Sequence, residues 1–244
     1  MRNKNPKVWA DTPCATFRYC ELAAEQKTPV HNGWQTNTKS FDEVWDAHQA
    51  NRSNIGLVLG NTSGVMDIDC DSVEAVALMH HLADGYLGHF KRSHDSAHYL
   101  FLCEGGGKTV RLANPEGGVI VELRGDGGQT MVPPSTHPYG QQLSMKDWHL
   151  DASHHHCDSL YRLLHKVGAL ALLMRGWHVG SRHQLSLSFA GLCQSLGISY
   201  DDAYEIVQLL CHVAHDDEET DRLNNVRLTY QRPTASNIGF TGLC

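Results

Sequence analysis

The chain of 244 residues is long enough for one large domain or a main domain with a smaller companion, and its 41% hydrophobic content is that of an ordinary globular protein. No apolar run approaches the roughly 18–20 residues that cross a bilayer, and the basic start MRNKNPKVWADTP has no apolar stretch behind it, so a cytoplasmic protein without membrane span or secretory signal is expected. A formal net charge of −7 argues against bulk electrostatic grip on duplex DNA, though not against contact with a short stretch of template.

That charge is uneven. Arg2, Lys4, Lys7, Arg18, Lys27 and Lys39 face only Asp11, Glu21 and Glu25 in the first forty residues, whereas Asp201 to Asp221 is strongly acidic, a pattern compatible with nucleic-acid contact on one side. The eight cysteines, at 14, 20, 70, 103, 157, 193, 211 and 244, show no disulfide framework or CxxC zinc knuckle, and most read as buried thiols.

Turn residues fill TPVHNGW, and Ser40 with Glu43 reads as a capping box opening a helix over FDEVWDAHQA. NIGLVLG reads as a strand, NTSG as a turn and VMDID as a second strand. A helix follows from about Ser72 to Ala83, capped by Asp71, with Val73, Val76, Ala77 and Met79 or His80 expected on its inner side. After a Gly-containing loop come the strands AHYLFLCE, VIVELRG (following the turn NPEGG) and QTMVPPS, which two prolines end; Lys91-Arg92, just upstream of the first, would add charge against a triphosphate or else form a solvated basic turn. Strand content is thus expected between residues 55 and 134.

From about Leu160 the pattern turns helical through YRLLHKVGALALLMR, HQLSLSFAGLCQSLG, DDAYEIVQLLCHVAH and ETDRLNNVRLTYQR, with Gly197 ending one helix and Ser199-x-x-Asp202 starting the next. A boundary in the polar segment MKDWHLDASHHHCDS divides a catalytic domain over 1–150 from a helical domain over 158–244. The pattern alone supports an α+β protein followed by a helical bundle.

The strongest chemical signal is Asp67-Ile-Asp69. On a strand these two acids share a face, with Cβ atoms about 6.5–7 Å apart. Carboxylates that close repel unless a cation neutralises them, and magnesium or manganese suits all-oxygen ligands. The bland alternative is a pair of solvated acids at a strand end. Glu122 is an isolated acid in an otherwise apolar strand, where it needs a metal or a partner such as Arg124. Ser96 and His98 also share one strand face, and their donors suit phosphate oxygens; the alternative is a satisfied strand histidine. Clustered His154, His155, His156 and Cys157 read as a solvated linker, with zinc not expected, because consecutive side chains diverge.

In order and spacing MDIDCD, SAHYLF and VELRGDGG resemble the three motifs of the bifunctional primase–polymerase (prim-pol) domain of the archaeo-eukaryotic primase superfamily, plasmid and phage type. NIGLVLGNTSG and RGDGGQTMVPPSTHPYG match the surroundings of those motifs, and the resemblance covers roughly residues 28 to 140. It departs where relatives often carry a Gly pair before the second motif; here the segment is RSHDSAHY.

The resemblance implies a small antiparallel or mixed sheet of the RNA-recognition-motif kind and a helical C-terminal region. It implies template-directed nucleotidyl transfer that makes or extends primers on single-stranded DNA from (d)NTPs. Asp67, Asp69 and Glu122 would bind two Mg2+ or Mn2+ ions. Ser96 and His98 would hold the β- and γ-phosphates, with Lys91, Arg92 and Arg124 as further contacts. Ser135 and His137 would approach sugar or base, and Arg182 and His183 are candidate template contacts. Many relatives continue into a helicase; with no Walker A sequence here, a replicative helicase is expected in trans or on a missing C-terminal region. The rivals are a DxD glycosyltransferase or phosphohydrolase, and a non-catalytic replication-initiation module that binds DNA beside a helicase.

Overall fold

The computed structural model describes residues 17–93, 95–149 and 151–233, so Arg2, Lys4, Lys7, Asp11, Cys14 and Cys244 lie outside the described residues. The chain forms two compact units that divide between Gly168 and Ala169, inside one long helix. The first unit is α+β, and its strands make two sheets.

The smaller sheet orders β1 (Tyr19–Leu22), β2 (Asn54–Val58) and β8 (Gln129–Val132) as β1-β2-β8, all antiparallel. Helix α1 (Phe41–Asn51) packs against it through buried Val44, and the Ser40–Glu43 capping box forms as expected. The larger sheet runs β6 (Val110–Ala113), β7 (Val119–Arg124), β3 (Val65–Cys70), β5 (Ser96–Glu104), β4 (Gly88–Ser93) and β9 (Ser144–Trp148). Its neighbours are antiparallel, except that β10 (His154–His156) lies parallel to the end of β5.

Strand β3 is therefore central and buried throughout. One face of the large sheet, with Val65, Phe90 and Leu100, joins the core of the small sheet formed by Tyr19, Leu22, Ile55, Leu57 and Val132. The other face carries Met66, Ile68 and Phe101, and helix α2 (Val73–Leu82) packs on β3 and β5.

Several expectations are corrected. Strands also occur at β1, β9 and β10, outside 55–134, and Lys91-Arg92 lies in strand β4 rather than a turn. The histidine run is a strand, not a solvated linker: pairing with the edge of β5 satisfies its backbone, and only His155 is half-buried, its ring edge-on to Phe101 at 5.2 Å. Ser72, not Asp71, caps α2, accepting from the Ala75 N–H. The buried face of α2 is Ala75, Leu78 and Met79, while Val73 and His80 are exposed. An apolar VALM run serves two overlapping helical faces equally, and the cap position selects between them.

Two loops are locked by one residue, Asp126, through its carboxylate and its main chain. Asp126 Oδ1 accepts from the Asn61 N–H at 2.7 Å, and the Asp126 N–H donates to Gly107 O at 2.7 Å. A Cβ at Gly60 or Gly106, both at positive φ, would stand 2.1 and 2.5 Å from that oxygen, so only glycine admits this approach.

The second unit holds the end of α3 (Cys157–Gly176), then α4 (Arg182–Ser195), α5 (Tyr200–Val213) and α6 (Glu219–Tyr230). Ser199 caps α5 by accepting from the Asp202 N–H, and Gly197 ends α4 at φ 73°. Its polar hub is Asp216. That carboxylate accepts from the Trp177 indole (3.1 Å), Arg182 Nη1 (3.2 Å), Arg222 Nε (3.1 Å) and the Glu218 N–H (3.0 Å). Of the six described cysteines five are buried, and burial pushes the Cys20 and Cys211 thiols up to about 12.

Burial alone would raise the Asp216 pKa, but the Glu218 N–H, Arg222 and Trp177 together hold it below the ordinary carboxylate range. The stabilisation is therefore present above the unfolded pKa of about 3.9 and is lost as pH falls through the folded value. Asp216→Ala, which strands Arg222 and Arg182, is expected to destabilise the helical unit by about 3–5 kcal/mol at neutral pH. Hydrogen exchange over α4–α6 checks this, and the gap between variant and wild type should narrow towards acid pH.

Candidate active site

Antiparallel register places one row of side chains on the face that looks towards the small sheet. Asp69 on β3 is opposite Glu122 on β7 and opposite His98 on β5; Arg111 on β6 is opposite Glu122, and Phe90 on β4 opposite His98. Directly opposed residues share a face, so Arg111, Glu122, Asp69, His98 and Phe90 stand side by side. Two residues along, Asp67 is opposite Arg124 and Leu100. Ser96 stands two residues from His98 on the same face of β5.

These acids are not solvated. Asp67 and Asp69 are fully buried and Glu122 nearly so, in the middle of strands rather than at an exposed end. Each is met by a cation. His98 Nδ1 lies 2.9 Å from Asp67 Oδ2, and its Nε2 lies 3.5 Å from Asp69 Oδ1. Arg124 contacts Asp69 Oδ2 through Nη2 and donates to Glu122 Oε2 from Nε at 2.9 Å. Arg111 donates to Glu122 Oε1 from Nη2 (2.7 Å) and Nε (3.2 Å).

Burial opposes the charge on His98, yet Asp69 and Asp67 raise its pKa above the usual histidine value. Burial likewise opposes the charge on Arg124, and Asp69, Asp67 and Glu122 outweigh it. The ring of His98 stacks on Phe90 at 4.6 Å and 12°, which fixes its orientation towards both aspartates.

The compensation is incomplete. Asp67 Oδ1 and Asp69 Oδ1 are buried and accept no hydrogen bond, and the Ser96 hydroxyl is buried and likewise unbonded. Buried carboxylate oxygens left this way are costly, and three carboxylates supply the hard oxygen donors that a divalent cation prefers. The donor set thus fits such an ion. Among the described residues, no three His, Cys, Asp or Glu side chains are gathered to hold one as they now stand; the Arg124 guanidinium bridges Asp69 and Glu122.

The family model described as bifunctional DNA primase/polymerase, N-terminal (Prim-Pol) matches residues 9–168, well over half of the chain. This chain belongs to the Prim-Pol family. The match ends at the same residue as the first compact unit. No curated protein matches the chain.

The Prim-Pol unit brings Asp67, Asp69, Glu122, Ser96, His98 and Arg124 to one face. His137 joins His98 in lining a small open pocket with Lys27, Met131 and Leu143. Its Nδ1 accepts from the Tyr139 N–H at 3.3 Å. Ser135 is placed differently: its hydroxyl accepts from the Ile55 N–H at 2.8 Å and ties the segment after β8 to β2. Lys91 is opposite Ala97, on the face away from His98. Arg92 lies on β4, with its side chain outside the described part. In the helical unit Arg182 binds Asp216 and Asp217, and His183 Nδ1 lies 3.3 Å from Asn225 Nδ2.

Arg111, Phe90 and Lys27 were not singled out from the sequence. A hairpin centred on NPEGG would have paired Arg111 with Glu122, but VRLA is too short to announce a strand.

His98→Ala removes the partner of a buried aspartate and the ring stacked on Phe90. Thermal unfolding in the absence of divalent metal should show a loss of about 3–5 kcal/mol.

Proposed function

We propose that the Prim-Pol unit is a metal-dependent DNA primase–polymerase that joins (d)NTPs on a single-stranded DNA template. The observation that carries this reading is the cross-strand row in which Asp69 stands between Glu122 and His98 with Asp67 beside them. Asp67, Asp69 and Glu122 would hold two divalent ions, magnesium or manganese. Bound there, the ions supply charge stabilisation to the triphosphate and lower the pKa of the attacking 3′-hydroxyl.

The chain's own groups do the positioning. The buried Ser96 hydroxyl has no competing partner and is available to a phosphate oxygen. His98 is held between Phe90 and the two aspartates, which fixes the ring and the carboxylates it contacts in one arrangement. His137 lines the small pocket it shares with His98, where it could approach sugar or base. Positioning and charge stabilisation are what phosphoryl transfer requires of a protein, and no side chain here needs to serve as a strong base.

The net charge of −7 gives no bulk attraction for the triphosphate, so on this reading local cations must supply it. Among the described residues no helix is long and apolar enough to cross a membrane.

Primer extension and de novo priming on single-stranded templates, with magnesium or manganese, test the reading. Wild type is expected to give metal-dependent product, and Asp67→Ala/Asp69→Ala to fall to background. Synthesis at wild-type rates in the double variant would sink the ligand assignment. Tight DNA binding without synthesis under any condition would favour a non-catalytic replication module.

A further inference from the structure

The three cations on the carboxylate row are not equivalent. His98 is trapped, with Phe90 stacked on its ring and Asp67 and Asp69 on its nitrogens, and its side chain is only 5% exposed. Arg111 is 60% exposed and touches Glu122 alone. Arg124 alone among them spans two of the candidate metal ligands on different strands, taking Asp69 Oδ2 and Glu122 Oε2 in one guanidinium fork. At 22% exposure it is anchored yet reaches solvent.

We infer that Arg124 is an exchangeable counter-ion: it clamps Asp69 to Glu122 in the metal-free protein and yields those oxygens when a divalent cation binds. The inference rests on the reading of Asp67, Asp69 and Glu122 as cation ligands.

The physical case has three parts. Three buried carboxylates on neighbouring strands repel, so the metal-free fold needs an internal cation between them. A guanidinium and a metal ion cannot both occupy the same inward oxygens of Asp69 and Glu122, so binding is an exchange and the arginine lowers apparent metal affinity. Asp67 Oδ1, buried and with neither a hydrogen bond nor an ion-pair contact, is the oxygen the ion can take first. Displacement of Arg124 then completes the set with Glu122. The released fork stays beside the site, since β7 fixes its backbone opposite Asp67, and its planar donors suit the phosphate oxygens that arrive with the nucleotide.

The test is Mn2+ binding to the full chain without nucleotide, read from the electron paramagnetic resonance of free Mn2+. Thermal unfolding in EDTA and in saturating Mn2+ accompanies it. Arg124→Gln should melt below wild type in EDTA, bind Mn2+ about tenfold tighter or more, and regain wild-type melting once Mn2+ saturates it. Arg111→Gln, which removes an equal charge from Glu122 alone, should change binding less, and Arg124→Lys should fall between Arg124→Gln and wild type. If Arg124→Gln folds only when Mn2+ is added, that rescue also supports the exchange.

Unchanged or weaker Mn2+ binding by Arg124→Gln, with Asp67→Ala/Asp69→Ala abolishing binding, would overturn the exchange and leave the metal site standing. Binding in wild type that the double aspartate variant does not reduce would overturn both. A variant Arg124→Gln that stays unfolded in Mn2+, beside a folded Arg124→Lys no tighter than wild type, would make Arg124 purely structural.

Discussion

Three carboxylates buried on adjacent strands are the constraint around which the first unit is built. Asp67, Asp69 and Glu122 cannot be hydrated where they lie, so their charge must be answered within the protein. The answer comes from the pleat itself. Antiparallel register puts His98 on one side of Asp69 and Glu122 on the other, and the next strand out adds Arg111. The same register sets Phe90 against His98, so a core aromatic becomes the wall that orients a charged ring. Slipping β5 or β7 by one residue would send the compensating groups to the opposite face and leave the aspartates alone, so the charges and the strand pairing specify one another.

Much of this was legible because the acids interrupt apolar strands at period two. Alternation across VMDID correctly places Asp67 and Asp69 on a shared face. What alternation could not say is that this face is also buried. A central strand covered by α2 on one side and by the small sheet on the other has no solvent face, and its polar positions then mark an internal cluster. The two bland alternatives, Glu122 paired with Arg124 and His98 satisfied on its strand, both occur, and within the same cluster as the proposed ligands.

The unread strands share a physical cause. β1, β9 and β10 lie at sheet edges or pair over three to five residues, and their identity comes from a neighbour's free backbone groups rather than from their own side chains. A run of three histidines has no apolar period, yet it satisfies the end of β5 as well as any other sequence would. Long-range pairing of this kind is invisible to local pattern. Short-range chemistry was legible: Ser40 with Glu43 and Ser199 with Asp202 cap their helices as their spacing suggests. The glycine-rich segments beside the motifs likewise have a structural explanation in Asp126, which draws the loop after β2 and the loop before β6 onto the end of β7.

Structural pairing and ligand binding are not rival accounts of such a cluster. Charge compensation is required in every state the protein visits, so the groups that neutralise the carboxylates before a ligand arrives compete with that ligand for the same oxygens. A cation that is stacked and enclosed, as His98 is, stays in place and becomes part of the site's scaffold. One that reaches solvent and bridges two strands, as Arg124 does, can be displaced without dismantling the core. The row therefore combines a rigid half, from Asp67 through His98 to Phe90, with an adjustable half, from Asp69 through Arg124 to Glu122. That division follows from the two cations and not from the acids they meet, since His98 is enclosed while Arg124, between the likewise buried Asp69 and Glu122, reaches solvent.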